Sequence, residues 1–279
     1  LFKFHMLSIC MIKSLIQKLF LKFNYKVINL KKDKSNLDQF LNELIKFDNP
    51  LIFDVGANVG QSVKILKKIF PNSLIHCFEP DNNAYKILFK NYSNNKTVKL
   101  NPFGLGKKNE YLEFNSYIET GKSSFYKLNL DTEFIKYKAN VWGVDQKEYL
   151  DSTYQKEIKT IDNYCEQNNI KKIDFLKIDT QGYEENVING ANNMIKNNLI
   201  DVIRLELIFS SVYQKNLNIY DIEKILIPNG YKLFGTSQYG NLLTDQNWQC
   251  DFMYISNSIY EKIKINPKFK SFKIKKSDA

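Results

Sequence analysis

Past residue 35 the chain alternates amphipathic runs with short, wholly apolar ones. Residues 36–47, NLDQFLNELIKF, space their apolar side chains as one face of a helix, and LIFDV at 51–55 is an apolar run of strand length. The alternation continues with QSVKILKKIF (61–70) as a helix stopped by Pro71 and SLIHCFE (73–79) as a strand stopped by Pro80. NAYKILFKNY (83–92) then reads as a helix and TVKLN (97–101) as a strand. This βαβαβ rhythm predicts a parallel sheet with crossover helices.

The rhythm breaks at 107–157. YLEFNSY (111–117) alternates like an antiparallel strand, and the polar, aromatic stretch after it has few helix signals. It reads as an insertion, either a lid or hairpin layer over a site or a long variable loop. The α/β pattern then resumes. IDNYCEQNN (161–169) is a helix, KIDFLKIDTQGYE (172–184) a strand and turn, ENVINGANNMIKNN (185–198) a helix, and LIDVIRLELIF (199–209) a strong strand. A helix at 219–231 closes on Pro228, Asn229 and Gly230, and KLFGT (232–236) and DFMYIS (251–256) finish as an antiparallel pair. The prediction is one α/β domain over 36–256, with a Rossmann-like sheet of seven strands, helices on both faces and the insertion at 107–157.

Charge changes the picture at the ends only. The formal net charge is +10, but residues 1–34 alone carry +7 and residues 261–279 carry +5, so the body is slightly acidic. The two Lys-rich ends, 1–35 and 257–279, are read as extensions that would meet an anionic surface first, or as solvated tails. With a single arginine, Arg204, bidentate reading of bases is not expected, and nucleic acid is excluded as a partner. The longest uncharged run near the start, residues 4–12, is far short of the roughly 20 residues that span a bilayer. No small-residue cleavage site follows it, so a basic amphipathic helix fits better than a signal peptide. Cys10, Cys77, Cys165 and Cys250 are widely spaced, which suits free thiols in a reducing compartment rather than zinc or a disulfide scaffold. The expected location is cytoplasmic, with peripheral membrane contact through the basic ends; no metal and no oligomeric state are assigned.

Candidate chemistry begins where the first strand ends, in DVGANVGQS (54–62). A strand that ends in a glycine turn and opens a helix can offer backbone N–H groups to a ligand. No GxxxxGK[ST] is present, so a P-loop is excluded. A dinucleotide site wants G-x-G-x-x-G, and Asn58 stands where the middle glycine would be, between Gly56 and Gly60. The third use is S-adenosylmethionine, whose ammonium and sulfonium favour acidic neighbours such as Asp54. Glu79, 19 residues past Gly60 at the end of the second strand, can accept two ribose hydroxyls in either kind of nucleoside site, so it does not decide alone.

The third block is LKIDTQGYE (176–184). A lysine inside a central strand is costly unless paired. Lys177 is therefore expected to contact Asp179, on the same face, or Glu206, brought to a similar height by the next strand. This places the constellation at the carboxyl edge of the sheet, where open α/β sheets bind ligands.

Taken together, DVGANVGQS, FEP (78–80), KTIDNY (159–164), LKIDTQGYE and RLELIFSSVYQ (204–214) resemble, in order, the FkbM family of methyltransferases, over about residues 36–256. The resemblance implies a seven-stranded methyltransferase sheet, S-adenosylmethionine as methyl donor, and O-methylation of sugars or other hydroxyl-bearing metabolites. Asp54, Gly56, Asn58, Gly60 and Glu79 fall at the donor positions. The family commonly shows K-I-D-V-E-G-x-E around the fourth strand; here Thr180 and Gln181 replace the Val and Glu, while Asp179, Gly182 and Glu184 match. A role resting on the missing acid cannot be carried over, and Gln181 can only hydrogen-bond.

Methyl transfer to a hydroxyl needs alignment and a proton acceptor. His76 falls mid-strand and reads as core, so the base candidates are the acids Asp179, Glu184 and Glu206, with Lys177 holding them. Phe125, Tyr126, Tyr137, Trp142 and Tyr149 of the insertion, and Tyr213 and Tyr239, are candidates to face a sugar-like acceptor. The alternatives are an NAD-dependent oxidoreductase or epimerase, against which stand the missing glycine and the lack of a lysine four residues after Tyr154 or Tyr164, and a non-catalytic module that keeps the fold.

Overall fold

A computed structural model describes residues 19–20, 22–23, 37–215, 217–237, 239–240 and 247–264. The expected N-terminal amphipathic helix and the Lys-rich tail past residue 264 lie outside the described residues. The described residues from 37 onward belong to one compact unit, and the few before them are not part of it.

After a 3₁₀ turn at Leu37–Phe40, this unit runs α1 (Leu41–Leu44), β1 (Leu51–Val55), α2 (Gln61–Ile69), β2 (Leu74–Phe78), α3 (Asn82–Tyr92), β3 (Val98–Asn101), β4 (Gly104–Leu105) and β5 (Glu110–Tyr117). It continues with α4 (Glu133–Trp142), β6 (Leu150–Lys159), α5 (Ile161–Gln167), β7 (Ile173–Ile178), α6 (Glu184–Asn189), α7 (Asn192–Lys196), β8 (Ile200–Ile208), α8 (Ile219–Leu226), β9 (Lys232–Thr236), β10 (Tyr239–Gly240), β11 (Asn247–Ile255) and α9 (Asn257–Lys264).

The main sheet is ordered β10-β11-β8-β7-β1-β2-β3, with β9 also paired to β11. The pairs β3–β2, β2–β1, β1–β7 and β7–β8 are parallel, and β11 is antiparallel to both β8 and β9. All seven expected strands are present, and the two-residue β10 is an eighth. Period-2 alternation sorts the core. Phe53 and Val55 of β1 enter the cluster under α5–α8, while Ile52 enters the opposite cluster under α1–α3. Helices therefore cover both faces.

Two features differ from expectation. The insertion holds a helix, α4, capped by Thr132 and closed by Gly143 in the left-handed region; its core contact is only Ile135 and Ala139, which gave too short a periodic signal. It also holds β6, whose mostly polar residues pair with β5 and β4 in a second, three-stranded sheet. At the other end, α9 continues the domain past residue 256 by burying Ile259. His76 is core as expected: it stacks on Phe53, lies 3.0 Å from the Tyr164 hydroxyl, and burial pulls it down to about 4, so it is neutral.

Candidate active site

The tips of β1, β2 and β7 meet at the carboxyl edge of the sheet. β1 ends in the glycine turn, which adopts φ +78 at Gly56, +47 at Asn58 and +92 at Gly60. Asparagine is among the residues that tolerate the left-handed region, which explains how Asn58 serves between the two glycines. A β-carbon at Gly56 would lie 1.9 Å from the carbonyl oxygen of Asp179, so this glycine lets β1 and β7 close on each other. One at Gly60 would strike the Tyr92 ring at 2.3 Å, so this glycine seats α2 against α3.

Four of the turn's N–H groups are already engaged within the fold. The N–H groups of Gly56 and Ala57 donate to Phe78 O, that of Gly60 to Ala57 O, and that of Asn58 to Glu79 Oε2 at 2.6 Å. Its contribution is room and shape. Asp54 also departs from expectation. It is fully buried, accepts from the Ser62 hydroxyl, and lies 3.2 Å from Lys177 Nζ, so it ties β1 to α2 and β7 instead of facing a ligand.

Glu79 closes β2. Its Oε1 accepts from Asp81 N at 2.8 Å and its Oε2 from Asn58 N, and burial pushes it up to about 8 against the opposing pull of these two N–H groups. Asp81 itself caps α3, accepting from Asn83 N and Ala84 N. The carboxyl of Glu79 is thus held at the rim of the cleft by backbone alone.

On β7, Lys177 bridges Asp54 and Asp179, the latter at 3.4 Å; it does not pair with Glu206. Burial alone would lower Lys177, but the two carboxylates outweigh it and raise it, so it stays charged. Asp179 accepts from Gln181 Nε2 at 2.9 Å, and the same nitrogen reaches Glu206 Oε2 at 3.1 Å. Glu184 turns onto the chain that precedes it: Oε1 accepts from Thr180 N, the Thr180 hydroxyl and Gly182 N. This clamps the 180–182 turn at the start of α6, and Glu184 is absent from the cleft walls.

Residues 120–125 roof the edge. The Thr120 hydroxyl donates to Asn58 Oδ1 at 2.9 Å, and the Ser124 hydroxyl lies 2.9 Å from Gln181 O. The segment therefore touches the glycine turn on one side and the β7 turn on the other. Beneath it runs a cleft of about 570 Å³, open solvent at its mouth included. Its walls comprise Gly56, Asn58, Phe78, Glu79 and Pro80 on one side, Gly104, Leu105, Phe114 and Phe125 at the back, and Thr120, Gly121, Ser123, Asp179, Thr180 and Gln181 on the other. Two carboxyl groups line it and no lysine or arginine does.

The profile of the methyltransferase FkbM domain matches residues 54–233, from the first acidic residue of the glycine turn to β9. The chain belongs to the FkbM methyltransferase family. It is 24% identical over 152 residues to "2-O-methyltransferase NoeI" of Sinorhizobium fredii, covering 54% of this chain and 61% of that protein. It is 26% identical over 156 residues to "Methyltransferase 1" of Beauveria bassiana, covering 52% and 60% respectively. The chain thus spans about three fifths of the length of these curated relatives. Among solved structures, the FkbM methyltransferase of Methylobacillus flagellatus KT aligns with a TM-score of 0.48 and 15% identity over 76% of this chain and 45% of that one.

In this FkbM chain the aromatic insertion contributes less to the cleft than its composition suggests. Phe125 lines it. Tyr149 is fully buried in the small core behind the roof, Tyr126 packs edge-on against Tyr183, and Tyr137 and Trp142 are exposed on α4. Tyr213 is buried with its hydroxyl 3.0 Å from Gln181 Oε1, and the side chain of Tyr239 lies outside the described residues. Sequence reasoning missed Gly104, Leu105, Phe114, Thr120 and Ser123; the clue available for the first two was NPFGLGK, directly after β3. Among the described residues no helix is long and apolar enough to cross a membrane, and no three His, Cys, Asp or Glu side chains gather closely enough to hold a metal ion.

Three carboxyls of the FkbM site are raised by desolvation, the buried Glu79 and Glu184 to about 8 and about 7 and the half-buried Glu206 to about 8. Each keeps its proton in the folded chain after the unfolded chain, with ordinary glutamate values, has lost it. The native state therefore binds more protons between about pH 4.5 and 8, and stability falls as pH rises across that window. Thermal melts from pH 5 to 9 should show a steady fall in Tm, with Glu79→Gln flattening part of the slope. A Tm that rises over the same range would contradict these assignments.

Proposed function

We propose that this chain is an S-adenosylmethionine-dependent O-methyltransferase acting on a hydroxyl of a sugar, glycan or similar metabolite. The observation that carries the donor assignment is the make-up of the cleft walls: two carboxyl groups, Glu79 and the ionised Asp179, and, among the described residues, no lysine or arginine on the walls. A pyrophosphate would find no cationic side chain on the walls themselves, where Lys177 is already engaged by Asp54 and Asp179, whereas a cationic sulfonium and an ammonium group are favoured. The residues fit the donor in other ways. Glu79 stands at the end of β2, able to accept from ribose hydroxyls; Phe78, Leu105, Phe114 and Phe125 offer an apolar wall for a purine; and Gly56, without a side chain, leaves the wall beside them bare. The acceptor class rests on the relative named a 2-O-methyltransferase.

Bound S-adenosylmethionine supplies an already activated methyl group, so the protein's task is placement and proton uptake. Asp179 is the acid at the cleft on the side away from Glu79, where an acceptor hydroxyl can approach. Lys177 and Gln181 hold it in place. Thr120, Ser123 and Thr180 add hydroxyl-lined wall beside it, suited to a polar acceptor. The roof limits water in the cleft, which favours alignment.

Thermal shift with S-adenosylhomocysteine and with NAD separates this reading from an oxidoreductase. At 100 times Kd a ligand stabilises by about 2.7 kcal/mol, a rise of several degrees for a domain of this size. A rise with S-adenosylhomocysteine alone is expected; a rise with NAD alone would reverse the assignment. Donor consumption against nucleotide sugars and glycans then identifies the acceptor.

A further inference from the structure

One base suffices for the proposed reaction, yet the structure sets a second carboxyl against it. Gln181 Nε2 donates to Asp179 Oδ1 at 2.9 Å and to Glu206 Oε2 at 3.1 Å. An amide nitrogen carries two protons, and here one goes to each carboxyl. Its oxygen faces the other way, 3.3 Å from Lys122 Nζ and 3.0 Å from the Tyr213 hydroxyl. Flipping the amide would aim its oxygen at both carboxyls and its N–H groups at an ammonium, so the network orients it. Gln181 also sits at φ +56, a conformation costly for a residue with a side chain and kept only where its surroundings over-determine it. Asp179 and Gln181 line the cleft, whereas Glu206 does not.

We propose that Asp179, Gln181 and Glu206 work as one proton-holding unit, in which Asp179 is the cleft-facing base and Glu206 a positioning residue tied to it through the amide. The proposal rests on the methyltransferase reading and deepens it, because it names the carboxyl that receives the acceptor's proton and the group that keeps that carboxyl charged.

Two half-buried carboxyls joined through one amide cannot both ionise cheaply. The neighbours decide which one does. Asp179 faces Lys177 on β7, Lys122 on the roof, Glu184 on α6 and Glu206 on β8. Burial would raise it, but Lys177, Gln181 and Lys122 together hold it below the ordinary aspartate range. Glu206 faces Asp179, Asp251 directly opposite on β11, Lys122 and Glu184, while Arg204 sits nearer Asp251. Burial first, then Asp179 and Asp251, push Glu206 up to about 8. At neutral pH the unit therefore holds one carboxylate at the cleft and one carboxylic acid behind it. In the transfer, the acceptor's O–H bond breaks and its proton goes to Asp179. The oxygen forms its bond to the methyl carbon, and the carbon–sulfur bond breaks with its electron pair left on sulfur. Glu206 keeps its own proton throughout.

The test is a ¹³C-carboxyl NMR pH titration of the full chain labelled at Asp and Glu, with Glu206→Gln and Asp179→Asn to assign the two signals. Glu206 is expected to titrate near pH 8, and the Asp179 signal to show a second, smaller step at the same midpoint that vanishes in Glu206→Gln. That variant keeps an oxygen for the Gln181 amide, so the fold should hold. Gln181→Leu removes a donor from both carboxyls and should move both midpoints upward. A Glu206 midpoint below about 5, near the ordinary glutamate value, or an Asp179 signal indifferent to Glu206→Gln, overturns the proposal. S-adenosylhomocysteine affinity measured on the same samples separates the two levels. Normal binding with independent titrations removes the unit alone, whereas a wild-type chain that does not bind removes the donor reading and leaves the titration result standing.

Discussion

Glu79→Ala should weaken S-adenosylhomocysteine binding by about 100-fold, measured by calorimetry. A hydrogen bond contributes about 0.5–1.5 kcal/mol, and a ribose diol can make two to this carboxyl, up to about 3 kcal/mol together. The substitution does more than remove a ligand contact, because Glu79 also accepts from the backbone N–H groups of Asn58 and Asp81. Leaving those two donors unpaired in a buried place costs about 1–3 kcal/mol each, so the alanine variant should also melt several degrees lower. Glu79→Gln is the informative partner: it keeps one acceptor oxygen at the same place. An alanine variant that binds S-adenosylhomocysteine like the wild type would remove Glu79 from the donor site.

Gly56→Ala is expected to be the most damaging single substitution in the described fold. The new β-carbon would lie 1.9 Å from Asp179 O, and the position holds φ +78. The left-handed conformation alone costs about 1–2 kcal/mol for a residue with a side chain. The clash adds to this, because the atom it meets is backbone at the end of a central strand and cannot swing away. The strand tips must part, which displaces Asp179 and breaks the Lys177 contacts that join β7 to β1. We expect a fall in Tm on the order of 10 °C and no measurable donor binding. A Gly56→Ala protein that keeps both its wild-type melting point and its donor affinity would show that β1 and β7 do not close on each other as described.

The sheet was legible because its strands are short apolar runs fenced by Pro, Asn and Gly, and its helices are amphipathic at the right period. LIFDV, SLIHCFE and LIDVIRLELIF each landed in the expected parallel position. β6 was not legible. Its side chains are largely polar because it packs in a small second sheet with a thin core, so neither alternation nor apolar content marks it. The candidate site shows the same division. Motif spacing brought Gly56, Asn58, Glu79 and Asp179 to one cleft. It could not reveal that Asp54 faces inward to Ser62 and Lys177, nor that Glu184 folds back onto the 180–182 turn, since both depend on which neighbour is nearer by an ångström or two. Gln181, noticed only as a departure from the family pattern, proved to be the most connected side chain of the site. A glutamine with two donors and two lone pairs engaged leaves no periodic trace; only the packing of β8, Tyr213 and the roof around it makes it central.

The donor reading stands on a cleft that suits an adenosine with a cationic tail and lines no lysine or arginine up for a phosphate. A crystal structure of the full chain soaked with S-adenosylhomocysteine tests this directly. The account predicts the ribose hydroxyls on Glu79, the purine against Phe114 and Phe125, and the amino-acid end beside Gly56 and Asn58. A ligand bound elsewhere with this cleft left bare, or a dinucleotide seated in it with its pyrophosphate at the glycine turn, would contradict it.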